Sequence, residues 1–263
     1  MTTPRALILH APGTNRDLEA AQALELAGAR PEIVPLTTLR AERTPWSRYQ
    51  LLILPGGFSY ADALGAGRLL ALDLRAYFAD ETRAFVESGK AVLGICNGFQ
   101  ALLKAGLLPG LDANHQQPYA TLTLNSRGRF ECRWVTLRPR SQRCVWTRGL
   151  HGLIDCPVAH GEGHFTVADR ALLADLHVAD QIALTYTWPD GAPADEAYPA
   201  NPNGSLADIA GVCNPRGNVL GLMPHPEDHL FAYQHPQRAR RGPTPRRLGL
   251  RLFENGVQYA AQS

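Results

Sequence analysis

Residues 91–100 read Ala91-Val92-Leu93-Gly94-Ile95-Cys96-Asn97-Gly98-Phe99-Gln100. The apolar run has the length of a buried strand, a turn follows at Cys96, and an apolar-faced segment begins beyond it. The order strand, sharp turn, helix puts a thiol at the carboxyl edge of a sheet and near the positive end of a helix, where a thiolate is favoured. Open α/β sheets bind ligands at that edge. Cys96 is therefore a candidate nucleophile, although a cysteine taken alone suits an apolar core equally well.

Working outward, Ala6-Leu7-Ile8-Leu9 predicts a buried first strand, followed by a turn at residues 10–15 and a helix over 17–27 that stops at Gly28. Ile33-Val34 and Leu51-Leu52-Ile53-Leu54 add short strands, and residues 70–88 predict one long helix that delivers the chain to the strand at 91–95. This alternation predicts an α/β fold: a three-layer open sheet, mostly parallel and flavodoxin-like, with helices on both faces. From residue 121 the pattern changes. Residues 121–124 and 130–137 flank Asn125-Ser126-Arg127-Gly128 and predict neighbouring antiparallel strands that extend the sheet. Further strands are expected at 182–187 and 208–212, a loop at 189–204 and a closing helix at 250–261. With no repeat and no break in composition, residues 1–263 are expected to form a single domain.

Composition narrows the function classes. Lysines and arginines number 26 against 24 aspartates and glutamates, and the resulting charge of +2 does not argue for nucleic acid as a partner. Arg238, Arg240, Arg241, Arg246 and Arg247 crowd one stretch, read as a solvated loop in preference to a docking surface. The cysteines at 96, 132, 144, 156 and 213 form no Cys-x-x-Cys pair and are odd in number, which disfavours zinc, dithiol chemistry and a disulfide framework. No signal-peptide pattern opens the chain, and no apolar run reaches the roughly 18 residues a spanning helix needs. A cytoplasmic protein with no membrane partner is expected.

Downstream, Asn218-Val219-Leu220-Gly221-Leu222-Met223 is a second apolar run, and Pro224-His225-Pro226-Glu227 follows it at once. Cys96, His225 and Glu227 form a plausible catalytic relay, with His225 moving protons and Glu227 holding the imidazole tautomer. The amide of Asn97 at the helix start is one oxyanion donor; a second is expected from Pro55-Gly56-Gly57-Phe58, where glycines let backbone approach a substrate. Taken alone that glycine pair also suits an ordinary tight turn.

These two motifs resemble those of the class I glutamine amidotransferases. Pro12-Gly13-Thr14-Asn15, Pro55-Gly56-Gly57-Phe58-Ser59-Tyr60, Arg129-Phe130-Glu131-Cys132-Arg133-Trp134, Ala159-His160-Gly161-Glu162-Gly163 and Asn201-Pro202-Asn203-Gly204-Ser205 narrow the resemblance to separate glutaminase subunits of phosphoribosylformylglycinamidine synthases. The resemblance implies that Cys96 attacks the side-chain amide of glutamine, that Gly57 and Asn97 serve the oxyanion, and that Gln100 shapes the glutamine pocket. It implies no cofactor in this chain. It also implies a large synthetase subunit that uses ATP and magnesium to convert formylglycinamide ribonucleotide to its amidine, with a small accessory subunit in many such complexes. No phosphate-binding glycine loop followed by Lys and Ser/Thr occurs here. The chain departs from the family at Ala61, where glycine is common, and in an enlarged segment over 228–247. Two rival readings are a stand-alone glutaminase with the same residue set and a noncatalytic subunit whose triad never assembles.

Overall fold

The computed structural model describes residues 3–42, 45–110, 119–241 and 247–262. In chain order its elements are β1 (Arg5–His10), α1 (Asp17–Leu26), β2 (Arg30–Pro35), α2 (Leu36–Glu42), β3 (Leu51–Leu54), α3 (Arg68–Tyr77), α4 (Ala79–Glu87), β4 (Ala91–Ile95), α5 (Asn97–Lys104), β5 (Ala120–Thr123), β6 (Glu131–Pro139), β7 (Ile154–His160), β8 (His164–Val167), α6 (Ala171–Val178), β9 (Ile182–Thr187), β10 (Ile209–Cys213), β11 (Val219–Leu222), α7 (Arg238–Arg241) and α8 (Leu250–Ala260). Nine strands form one sheet in the order β2-β1-β3-β4-β11-β10-β9-β6-β7. The first five of that order are joined by parallel pairings and the remainder by antiparallel ones. The expected α/β sheet with an antiparallel extension is therefore what the chain builds.

Strands β3 and β4 are buried along their whole length, because helices cover both faces of the parallel part. Crossovers from β1 to β2 and from β3 to β4 run in opposite directions across the sheet, so right-handed connections put α1 and α3 on opposite faces. α8 packs with α1 on one face, and α5 packs with α3 on the other. Leu7, Ile8, Ile53, Val92, Leu93, Phe99 and Phe253 fill the space between.

Two local expectations need correction. The single helix over 70–88 is two helices, α3 and α4, broken at Phe78 (φ −131°, ψ 23°). Phe78 turns inward to pack on Trp46 with ring centroids 5.5 Å apart, and α4 restarts with its first-turn acids Asp80 and Glu81. Second, the strands on either side of residues 125–128 do not pair with each other. β5 pairs with β8 in a separate two-stranded sheet, whereas β6 pairs with β7 and β9. The turn itself exists, closed by Gly128 N–H to Asn125 O at 2.8 Å. Its outer bonds go elsewhere: Asn125 N–H donates to Gly161 O (2.9 Å) and Ser126 N–H to Asn203 O (3.0 Å), which steers the two strands apart.

The described parts of the enlarged segment, residues 228–241 and 247, pack against the antiparallel part of the sheet. His229 and His235 pack on Trp134 at 4.9 and 4.6 Å between centroids. Arg247 reaches Asp155 Oδ1 at 3.5 Å and Pro189 O at 3.0 Å, and Arg238 donates to Tyr233 O at 2.7 Å. Arg246 lies outside the described residues. Ala61 occupies a left-handed conformation (φ 54°, ψ 29°) between Tyr60 and Asp62, which share it. A side chain there costs about 1 kcal/mol that glycine avoids. Ala61→Gly is therefore expected to stabilise the protein by at most about 0.5 kcal/mol, after the larger unfolded-state entropy of glycine is counted, and to raise the thermal midpoint by at most about 1–2 °C.

Candidate active site

Cys96 sits between β4 and α5 with φ 49° and ψ −103°, a strained turn at the sheet edge. Its N–H still pairs with Leu222 O on β11 (2.8 Å), and its carbonyl accepts the N–H of Gln100 (3.0 Å), so both sides of the bend are anchored. The helix start is pressed onto the end of β3: a Cβ at Gly98 would stand 1.9 Å from Leu54 O. Only glycine permits that approach.

His225 reaches the same edge because β11 lies beside β4 in parallel register, Leu222 opposite Ile95. The chain beyond β11 bends through Pro224, is tied by His225 N–H to Pro157 O at 2.8 Å, and closes a 3₁₀ turn over Pro226–Asp228. His225 Nδ1–H donates to Glu227 Oε1 at 2.7 Å, and both side chains are buried. The other ring nitrogen, Nε2, is buried without an ordinary hydrogen-bond partner among the described residues. Burial opposes a charge on His225, yet the Glu227 carboxylate and the Cys96 thiol outweigh it and hold the imidazole well above the usual histidine range. The thiol, imidazole and carboxylate are thus brought together in that order.

A cavity of about 180 Å³ opens in front of the thiol, lined by Gly57, Phe58, Asp62, Cys96, Gln100 and residues 159–162. Cys96 Sγ lies 3.9 Å from Ala159 O. Gly56 backs the imidazole, since a Cβ there would stand 2.7 Å from His225 Cε1. Gly57 (φ +125°) passes just as closely over Asn15, leaving no room for a side chain. The Asn97 side chain is spent on structure: Oδ1 accepts from Ser59 N–H (3.2 Å) and from the Ser59 hydroxyl, and Nδ2 donates to Asp62 Oδ1 (2.9 Å) and Gln100 Oε1 (3.1 Å). Gln100 in turn donates to Glu162 O at 2.7 Å. Its amide braces the cavity wall.

Several groups here lie in segments quoted from the sequence, but their role at the cavity wall was not read from it. Burial, with the charge of His225 beyond it, pushes His160 down to about 3, so this imidazole is neutral. It bridges Asn125 Oδ1 (3.2 Å from Nδ1) and Asn203 Nδ2 (3.5 Å from Nε2). Asn125 also accepts from Gly163 N–H (2.9 Å) and donates to His160 O (2.8 Å) and Arg129 O (2.9 Å). Fully bonded buried polar groups of this kind rigidify what they join, here the 160–163 loop that forms the cavity wall. The signal was their place in the quoted segments 125–128, 159–163 and 201–205, which says nothing of the bonds that join them.

A family model described as a CobB/CobQ-like glutamine amidotransferase domain matches residues 3–260. Phosphoribosylformylglycinamidine synthase subunit PurQ of Treponema denticola is 52% identical, with 97% of this chain and 98% of that protein covered. The subunit of the same name from Dehalococcoides mccartyi is 43% identical over 100% of both. The chain belongs to the PurQ group of glutamine amidotransferases. Among solved structures, "Structure of PurLQS from Thermotoga maritima" matches this amidotransferase at TM-score 0.74 and 33% identity, covering 98% of this chain and 99% of the other. A Thermotoga maritima glutamine amidotransferase shares the fold alone, at TM-score 0.55 and 15% identity. Its family places the chain as a glutamine amidotransferase subunit serving purine biosynthesis. Among the described residues of this amidotransferase, no group of three His, Cys, Asp or Glu side chains is placed to hold a metal ion, and no helix is long and apolar enough to cross a membrane.

Proposed function

We propose that Cys96, His225 and Glu227 hydrolyse glutamine to glutamate and ammonia, and that the ammonia serves a large ATP-dependent synthetase subunit making formylglycinamidine ribonucleotide. The observation that carries this reading is the 2.7 Å His225–Glu227 hydrogen bond, held at the strand end beside Cys96, whose thiol opens into the cavity. Glutamine enters with its side-chain amide over the sulfur. The thiolate attacks the amide carbon, and the carbonyl oxygen takes the charge. The N–H of Asn97, among the first N–H groups of α5 with no partner inside the helix, and that of Gly57 stabilise it. Gln100, fixed by Asn97 and Glu162, shapes the wall against which the substrate lies.

His225, kept protonated beside Glu227, gives its proton to the departing amine as the C–N bond breaks, leaving a thioester. Water then gives a proton to His225 and attacks the thioester carbon; the sulfur leaves and glutamate is released. Ammonia is useful only if it reaches an activated acceptor, so this reading includes the synthetase, with ATP and magnesium bound there, and a small accessory subunit. The exposed apolar side chains Phe58, Leu124 and Phe130 at the cavity support a covered mouth. Reconstitution with the large subunit, following glutamate release together with ATP-dependent amidine formation, tests the assignment. Coupled products are expected; isolated turnover indifferent to that subunit would point to a stand-alone glutaminase.

A further inference from the structure

Asp228, next in the chain to Glu227, is a carboxylate that the chemistry above leaves unused. Its burial and the adjoining Glu227 push it up to about 6, against the pull of His225 and Arg16. Arg16 Nη1 lies 3.4 Å from Asp228 Oδ1 and 3.2 Å from Glu19 Oε1. Arg16 stands immediately before α1, and α1 packs on the Pro226–Asp228 turn. The Cβ of Arg16 also lies 3.6 Å from where a Cβ on Gly56 would stand, and Gly56 backs the His225 ring. One side chain therefore adjoins both the glycine loop and the turn that carries the triad's acid and base.

Among the described residues, the remaining charged groups facing this turn are engaged. On β7, Asp155 accepts from Thr136 Oγ1 (2.8 Å) and pairs with Arg247 (3.5 Å), while its carbonyl binds His229 Nδ1. Cys156 is held well above the usual thiol range by burial and by Glu227, Asp155 and Asp228, and stays a neutral thiol. On α8, Arg251 and Glu254 pair with each other at 3.8 Å on the exposed side.

We infer that Arg16 and Asp228 are positioning residues for the glutaminase reaction: the pair clamps the triad turn to the glycine loop, and its charges set how firmly His225 keeps its proton. The inference rests on the assignment of Cys96, His225 and Glu227. An anionic Asp228 favours the imidazolium and Arg16 opposes it, so removing each should move the alkaline limb of activity in opposite directions. A residue that merely supports the fold would lower activity and leave that limb in place.

The test is the pH dependence of kcat/KM for glutamine hydrolysis in the complex with the large subunit, for the wild type, Asp228→Asn, Arg16→Gln and the double variant. The alkaline limb is expected to fall by about 0.5–1 pH unit in D228N and to rise by a similar amount in R16Q. The double variant should return towards the wild-type position, and kcat should drop severalfold in each single variant with little change in KM. Asp228→Glu keeps the charge and should keep the limb, which also guards against a folding defect in D228N. Limbs that stay in place in both single variants, or that move the same way, overturn the inference. Cys96→Ala assayed alongside separates the two readings: an inactive C96A with immobile limbs rejects only the clamp, whereas an active C96A rejects the triad.

Discussion

Cys96→Ala is expected to lose glutamine hydrolysis by at least about 10⁴-fold while folding as the wild type does. Alanine keeps the Cβ, so the turn at φ 49° is neither relieved nor worsened, and the bonds that anchor it run through the backbone. What disappears is the sulfur, the proposed nucleophile toward the amide carbon. Its removal should cost on the order of 1 kcal/mol of stability, small against a rate effect of this size. Glutamate release by the complex, read beside a thermal melt, checks the expectation. Ammonium salts supplied to the C96A complex should still yield amidine, because the step that consumes ammonia lies in the partner. A folded variant that goes on hydrolysing glutamine would reject the nucleophile assignment.

The parallel half of the fold was legible because its strands are buried on both faces: Leu51–Leu54 and Ala91–Ile95 are uninterrupted apolar runs, a signal that needs no knowledge of neighbours. The separation of β5 from β6 was not, since the polar side chain of Asn125 and the N–H of Ser126 bind the 160–163 and 201–205 loops, and no local pattern encodes a bond across that distance. The break at Phe78 was hidden for a related reason. Residues 70–88 favour helix throughout, and the partner that pulls Phe78 inward is Trp46 from another part of the chain. At the site, Cys96, His225 and Glu227 carry their own signal, each lying just beyond an apolar strand. Their meeting depends on β4 and β11 being sheet neighbours, which the intervening strands conceal. Gly56 and Gly57 could be read as loop glycines, but what excludes a side chain at each, the His225 ring and Asn15, exists only in the folded protein.

Glu227→Gln should lower kcat for glutamine hydrolysis by about 10³–10⁴-fold and shift the alkaline limb of the pH profile downward. The glutamine side chain fits the space but cannot supply the charge. With the carboxylate gone, burial becomes the dominant influence on His225 and favours the neutral ring, so the proton needed by the departing amine is missing near neutral pH. The amide can also present its NH₂ to Nδ1 and stabilise the wrong tautomer. Stability should respond as well. In the wild type His225 holds its proton more tightly folded than unfolded, so its contribution is fully present below an unfolded pKa of about 6.5 and is lost as pH rises through the folded value. In E227Q the folded imidazole binds its proton less tightly than the unfolded one, and this contribution is lost instead as pH falls below about 6.5. Denaturant unfolding of the two proteins at a series of pH values from 5 to 9 reads this reversal directly; parallel stability curves would mean that Glu227 does not set the charge of His225.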